Sequence, residues 1–202
     1  MSRGSELSRK APKKRAAAGK PQRSGQTRTL LFVGTVLVVI IVGLYVFSQP
    51  PAAPGSPGGF APDFGLQVVT AEGLTDQTVH LSDYRGKVVV LEFMVSWCHV
   101  CQEMEPAIVT LHNRYSDQDV VFLTVAGTQR GATAESTAGF IREYGATWTH
   151  VLDSDNSVFP AYGVDATPTY FVLDKSGKIL SRFQGVVTTN AFSEAIDLAS
   201  ST

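Results

Sequence analysis

Two cysteines occur in 202 residues, three positions apart in Trp97-Cys98-His99-Val100-Cys101. Thiols at that spacing on a first helical turn can face each other and close a small disulfide that reopens readily. The apolar run Val88-Val89-Val90-Leu91-Glu92-Phe93 stands just before the pair and a helical pattern just after it. Cys98 therefore falls at the mouth of a helix, where unpaired N–H groups and the macrodipole favour a negative sulfur and lower its thiol pKa. Cys98 is expected to be the exposed, attacking thiolate. Cys101, one turn inside, is more shielded and suits the resolving role. Two other readings compete. A four-thiolate zinc site lacks its second cysteine pair, leaving only a mixed site with His80, His99, His112 or His150. A pair of inert core cysteines is the other. Dithiol redox chemistry outweighs both, and no metal or cofactor is expected.

Glu92 is the next residue with chemical meaning. A carboxylate inside an apolar strand is costly unless paired or protonated, and its place before Trp97 sets it beneath the helix that carries the thiols. The functional reading is an ionisable group at work beneath the thiols. The bland one is a strand-edge residue facing solvent or paired with Lys87. Trp97 is expected to pack over the site. His99 adds positive charge beside Cys98 when protonated and is otherwise an incidental exposed side chain.

The elements that must position these groups alternate strand and helix. Leu66 to Thr70 and Thr78 to Leu81 read as a hairpin around Glu72-Gly73, and Val88 to Phe93 as a central strand buried on both faces. Met104, Ile108, Leu111 and Tyr115 form one stripe of a helix that ends near Ser116, with Pro106 expected to kink it. Val120 to Ala126 and Trp148 to Leu152 are strands, and Thr133 to Tyr144 is a helix between them. Val158 to Tyr162 reads as a helical turn. Thr169 to Asp174 and Ile179 to Phe183 form a hairpin closed by Lys175-Ser176-Gly177-Lys178. Thr188 or Thr189 caps a last helix carrying Phe192, Ile196 and Ala199. No internal repeat is present, and the order implies an α/β fold, a central mixed sheet with helices on both faces.

Charge and hydropathy divide the chain further. Residues 1–28 hold nine Lys/Arg and one acid, so this tail carries +8 while the whole chain is −1 and the remainder −9. An acidic folded part speaks against nucleic-acid binding. Leu30 to Phe47 is eighteen residues without a charge, which at about 1.5 Å per residue nearly spans a hydrocarbon core of about 30 Å. A transmembrane anchor over 29–48 is expected, the basic flank holding the N-terminus in the cytoplasm and sending the rest out. A cleaved signal peptide fits less well, because the apolar stretch is long and Gln49-Pro50-Pro51-Ala52-Ala53-Pro54 makes a poor cleavage site. Residues 49–59 read as a Pro/Gly-rich tether, and 60–202 as one domain large enough to need no structural disulfide.

Ala61-Pro62-Asp63-Phe64, Leu81-Ser82-Asp83-Tyr84-Arg85-Gly86-Lys87, the Trp-Cys-x-x-Cys segment, Pro106 and Ala166-Thr167-Pro168-Thr169 together resemble the thioredoxin superfamily. Within it they resemble the membrane-anchored thiol-disulfide oxidoreductases of the TlpA, ResA and DsbE kind. The resemblance implies a thioredoxin fold with an N-terminal hairpin and a central helix-strand insertion. It makes Glu92 the counterpart of the buried Asp of thioredoxin, and so a proton relay for the resolving Cys101, and implies a cis Thr167-Pro168 bond opposite the disulfide. Trp97, His99, Thr167 and Pro168 then form the substrate-binding rim. The implied partners are protein thiols and disulfides, with a membrane electron-transfer partner that resets the site. Val100 and His99 depart from the residues common between such cysteines, so the direction of electron flow is not carried over. A reductant of disulfides such as those of apocytochromes c is expected, with a disulfide-forming oxidant or a Cu(I)-handling protein as alternatives. A peroxidase is disfavoured because Val95 stands where a Thr is expected.

Overall fold

The computed structural model describes residue 34, residues 36–44 and residues 55–202. The short N-terminal stretch and the rest belong to two separate compact units. Residues 34 and 36–44 are helical, with the apolar side chains of Val36 to Leu44 exposed, Val39 by 67%. The basic tail and most of the expected anchor lie outside the described residues. Among those described, no helix is long and apolar enough to cross a membrane.

The folded unit is built on seven strands: β1 (Gly65–Thr70), β2 (Gly73–His80), β3 (Val88–Met94), β4 (Val120–Gly127), β5 (Thr149–Asp153), β6 (Thr169–Leu173) and β7 (Ile179–Gln184). They form one mixed sheet in the order β2-β1-β5-β4-β3-β6-β7. The helices are α1 (His99–Tyr115), α2 (Ala134–Tyr144), α3 (Val158–Ala161) and α4 (Thr189–Ser200). β3 pairs parallel with β4 and antiparallel with β6. All seven residues of β3 are buried, which explains why its sequence runs apolar without alternation.

The crossovers decide where the helices go. β3 to β4 and β4 to β5 are parallel connections that step the same way across the sheet. Right-handed crossovers stepping in one direction place α1 and α2 on the same face. That face presents Val88 and Val90 to Ile108 and Leu111 of α1 and to Phe192 and Ile196 of α4, and Met94 to Ala138 and Ile141 of α2. The expected helices on both faces are thus unevenly shared. Among the described residues the opposite face carries the four-residue α3, whose Val158 and Phe159 pack with Tyr162, Ala61, Phe64 and Leu81, and a short 3-10 turn over Leu81–Tyr84. Phe93 meets Phe159 at 5.1 Å and Phe171 at 5.6 Å between ring centroids, both edge-to-face, contacts of about 0.5–1.5 kcal/mol each beyond their burial.

Element ends follow local chemistry. Thr133 Oγ1 accepts the Ser136 N–H at 3.1 Å while Ser136 Oγ accepts the Thr133 N–H at 2.9 Å, a reciprocal cap on α2. Gly145, at φ 65°, ends that helix in the left-handed region. Thr188 caps α4, accepting from Ala191 N at 3.3 Å. The backbone of α1 stays helical through Pro106 to Tyr115, with no break at the expected kink. Asp174, expected in a strand, leaves β6 to organise the turn: its Oδ1 accepts from Ser176 N and Lys178 N at 2.9 Å each. β2 is longer than its sequence signal and begins at Gly73. Order also starts before Phe60, since Gly58 N donates to Ile179 O and Ile179 N to Gly59 O, both at 2.8 Å.

Asp153, at the end of β5, is fully buried. Its Oδ1 accepts from Ser157 N at 3.0 Å, and its Oδ2 from Val158 N at 3.0 Å and Phe159 N at 3.2 Å. One carboxylate thus satisfies the orphan donors of α3 and fastens it to the sheet. Asp153→Ala should lower the unfolding free energy by roughly 2–4 kcal/mol, read from the urea midpoint at unchanged slope. Asp153→Asn, which keeps one acceptor oxygen, should lose less.

Candidate functional site

β3 ends at Met94, and the next residues turn the chain into α1. Cys98 is the N-cap of that helix, and its Sγ accepts the Cys101 N–H at 3.1 Å. Cys98 and Cys101 are joined as a disulfide across a Cα–Cα distance of 5.2 Å. On the far side, Cys98 Sγ lies 3.4 Å from Thr167 O, and the Thr167–Pro168 peptide bond is cis. The structure therefore gathers Cys98, Cys101, Thr167 and Pro168, which come from opposite ends of the domain. Cys98 is less open than its helix-mouth position implied. It is 5% exposed, against 0% for Cys101, because the Thr167 backbone closes over its sulfur. The order of access between the two thiols is as expected.

Trp97 forms the rim. Its ring is 45% exposed, its Nε1 donates to Gln129 O at 3.0 Å, and the Arg130 guanidinium sits 5.6 Å from the ring centroid. Arg130 holds a left-handed backbone, φ 50°, rare for a non-glycine residue. A cavity of about 360 Å³ lies along this rim, lined by Trp97, Gln129, Arg130, Phe159, Asp165 and Thr167 among others. Gln129, Arg130 and Asp165 carried no sequence signal, for they sit in connecting segments that only the fold brings beside Trp97. His99 is exposed at the first position of α1. Among the described residues no group of three or more His, Cys, Asp or Glu is placed to hold a metal ion.

Beneath the cysteines the sheet is polar where a core is usually apolar. Glu92 is 2% exposed on the central strand, which rules out a solvent-facing edge or a Lys87 partner. Its Oε2 accepts from Thr124 Oγ1 at 2.9 Å, and Thr124 Oγ1 in turn accepts from Trp148 Nε1 at 2.8 Å. Burial raises the Glu92 pKa to about 7, with the hydrogen bond from Thr124 pulling the other way. His150 is also buried, and burial lowers its pKa to about 4, so its ring is neutral.

Glu105 was missed in the sequence. It lies one turn beyond Cys101 on the buried face of α1 and has no exposed surface. Burial first, and the charge of Glu92 second, push its carboxyl far above the usual carboxylate range. A helical wheel anchored on Cys101 would have found it, since positions 101, 105 and 108 share a face.

The match to known proteins covers this whole arrangement. Residues 57–182 match the AhpC/TSA family. The chain is 35% identical over 131 residues to the thiol-disulfide oxidoreductase ResA of Geobacillus thermodenitrificans, covering 65% of this chain and 71% of that protein. It is 32% identical over 172 residues to ResA of Geobacillus kaustophilus, covering 84% and 91%. Among solved structures, the thiol:disulfide interchange protein DsbE from Chlorobium tepidum superposes with a TM-score of 0.63 at 28% identity, covering 71% of this chain and 97% of that one. With its disulfide at a helix mouth and a cis-proline opposite, the chain belongs to the thioredoxin-like AhpC/TSA family and is a thiol-disulfide oxidoreductase of the ResA and DsbE type.

Proposed function

We propose that the protein works outside the cytoplasmic membrane as a tethered reductant of protein disulfides, with apocytochromes c as one substrate class. The observation that carries this reading is the asymmetry of the dithiol. Cys98 faces the cis-proline wall and receives one backbone N–H, while Cys101, on the first turn of α1, has no exposed surface. The reduced Cys98 thiolate attacks a substrate disulfide held along the Trp97 rim against Thr167 and Pro168. The substrate's first sulfur leaves, and a mixed disulfide forms. Cys101 loses its proton toward Glu92 and attacks Cys98 Sγ, which breaks the bond to substrate and closes the Cys98–Cys101 disulfide. Two electrons pass to the substrate, and a membrane electron-transfer partner restores the dithiol.

Electrostatics supports the reducing direction. A dithiol oxidises others strongly when its thiolate form is stabilised, and reduces them when it is not. Here a single backbone N–H supports Cys98 Sγ, and Cys101 has no exposed surface, an enclosure that disfavours a charged sulfur. The disulfide is therefore the favoured state of the pair. The uncharged stretch Leu30 to Phe47 behind a +8 tail supports the tethered, exported placement.

Three measurements test this reading. The Cys98/Cys101 reduction potential should lie near or below about −270 mV, the thioredoxin value, and a potential near about −120 mV would make the protein an oxidant. In Cys101→Ser protein, partners should accumulate on Cys98 as reducible high-mass adducts, and Cys98→Ser should trap few; equal trapping would overturn the assigned roles. Protease applied to spheroplasts should remove the domain and spare the basic tail, and a protected domain would defeat the topology.

A further inference from the structure

The chemistry assigned so far uses Glu92 and leaves Glu105 idle, although an enclosed, unpaired carboxyl is among the costliest groups a core can hold. Both Glu105 oxygens lack a hydrogen-bond partner, as do Glu92 Oε1, Tyr170 Oη and His150 Nε2. These groups belong to one structure. Strand register sets Tyr170, Glu92, Thr124 and His150 side by side across β6, β3, β4 and β5. Glu105 approaches the row from α1, one turn past Cys101. Glu92 shares the face of β3 that carries Val88 and Val90, which cluster with Ile108 and Leu111 of α1, and Glu105 lies fully buried on that same helix; in keeping with this, each acid opposes ionisation of Tyr170.

Hydrogen-bond accounting narrows the possibilities. The Thr124 hydroxyl proton is committed to Glu92 Oε2, because its oxygen already receives Trp148 Nε1–H. The free atom of Glu92 is Oε1. No ion pair joins either acid to a Lys or Arg among the described residues. Two adjacent ionised carboxylates would repel each other strongly in a closed core, on top of their desolvation. A proton held between them removes the repulsion and gives orphaned oxygens a donor.

We propose that Glu92 and Glu105 form a carboxylate dyad beneath the disulfide, which retains one proton through neutral pH and takes up a second from the Cys101 thiol as that sulfur attacks. This rests on the relay role given to Glu92 above. Glu105 is the positioning residue: its retained proton lets a charged Glu92 exist in a closed core, ready to accept. In the resolving step the Cys101 S–H bond breaks and the singly protonated dyad becomes doubly protonated. The Cys101 thiolate then forms its bond to Cys98 Sγ, and the substrate sulfur leaves as a thiolate that is protonated by solvent. Charge is conserved at each stage. The other titratable groups against the dyad are Tyr170 from β6, neutral because burial raises its pKa; Tyr144 from α2, whose pKa is also raised; and the neutral His150 from β5.

The test is a carboxyl titration by NMR on the full-length oxidised chain carrying ¹³C-labelled glutamate, in which neither thiol contributes. Wild type should show Glu92 and Glu105 titrating in two shared steps, each signal responding to both. Glu105→Gln should leave Glu92 with one step, and Glu92→Gln should leave Glu105 with one step at lower pH than its upper step in wild type. Release of a preformed mixed disulfide, followed against pH, should show the upper step in wild type and lose it in Glu105→Gln. Glu92→Gln should slow release at neutral pH at least about tenfold. Independent single-step titrations in wild type would overturn the dyad without any variant having to fold. In that event slowed release by Glu92→Gln still upholds a lone relay, whereas unslowed release removes the relay itself.

Discussion

The central strand β3 is the constraint on which the site depends. It is hydrogen-bonded on both sides and buried on both faces, so each of its residues has one possible neighbourhood. Odd positions meet the aromatic cluster around Phe93 and Phe159; even positions meet the long helices. A slip of one residue would exchange the two sets and drive Glu92 among those aromatic rings. Register and packing are therefore one requirement, and together they deliver Glu92 under the helix that starts at Cys98.

The same strand fixes the cysteines from above. Its last residue, Met94, leaves a short turn in which the chain must reverse from extended to helical, and Cys98 takes the cap that this reversal creates. The opposing wall comes from β6, which pairs with β3 in antiparallel register and begins just after the cis bond to Pro168. The sulfur and its backbone wall thus follow from two adjacent strands of one sheet, and the Trp97–Arg130 rim borders the cavity beside Thr167.

The polar row across the sheet departs from what stability alone would select. Several of its buried atoms lack partners, and burial displaces the acids and the imidazole toward their neutral forms. A Val or Leu at each site would pack without this cost. Retaining acids there makes physical sense where a proton must move in a closed space while a sulfur changes from thiol to disulfide. The apolar clusters on both faces and the carboxylate clamp of Asp153 on α3 offset the cost from elsewhere in the domain.

Much of this was legible in the residues themselves. The Cys98–Cys101 spacing, the unbroken apolar run of β3, the stripe along α1 and the turn chemistry at Lys175 to Lys178 are local patterns, and local physics reads them directly. Glu92 was conspicuous because a charge in an apolar run has few explanations. Glu105 was not, because a Glu within a helix is ordinarily a solvated residue; a helical wheel sets it on the face of Cys101 and Ile108, and the packing of α1 onto β3 removes the water from that face. Crossover handedness likewise lay outside any local pattern, and it gathered α1 and α2 on one side of the sheet. Gln129, Arg130 and Asp165 became rim residues through long-range folding alone. Sequence determined which groups have chemistry to offer, since that depends on residue type and short spacing. Tertiary structure decided which of them lose their water and meet one another, since desolvation and proximity belong to the packed chain.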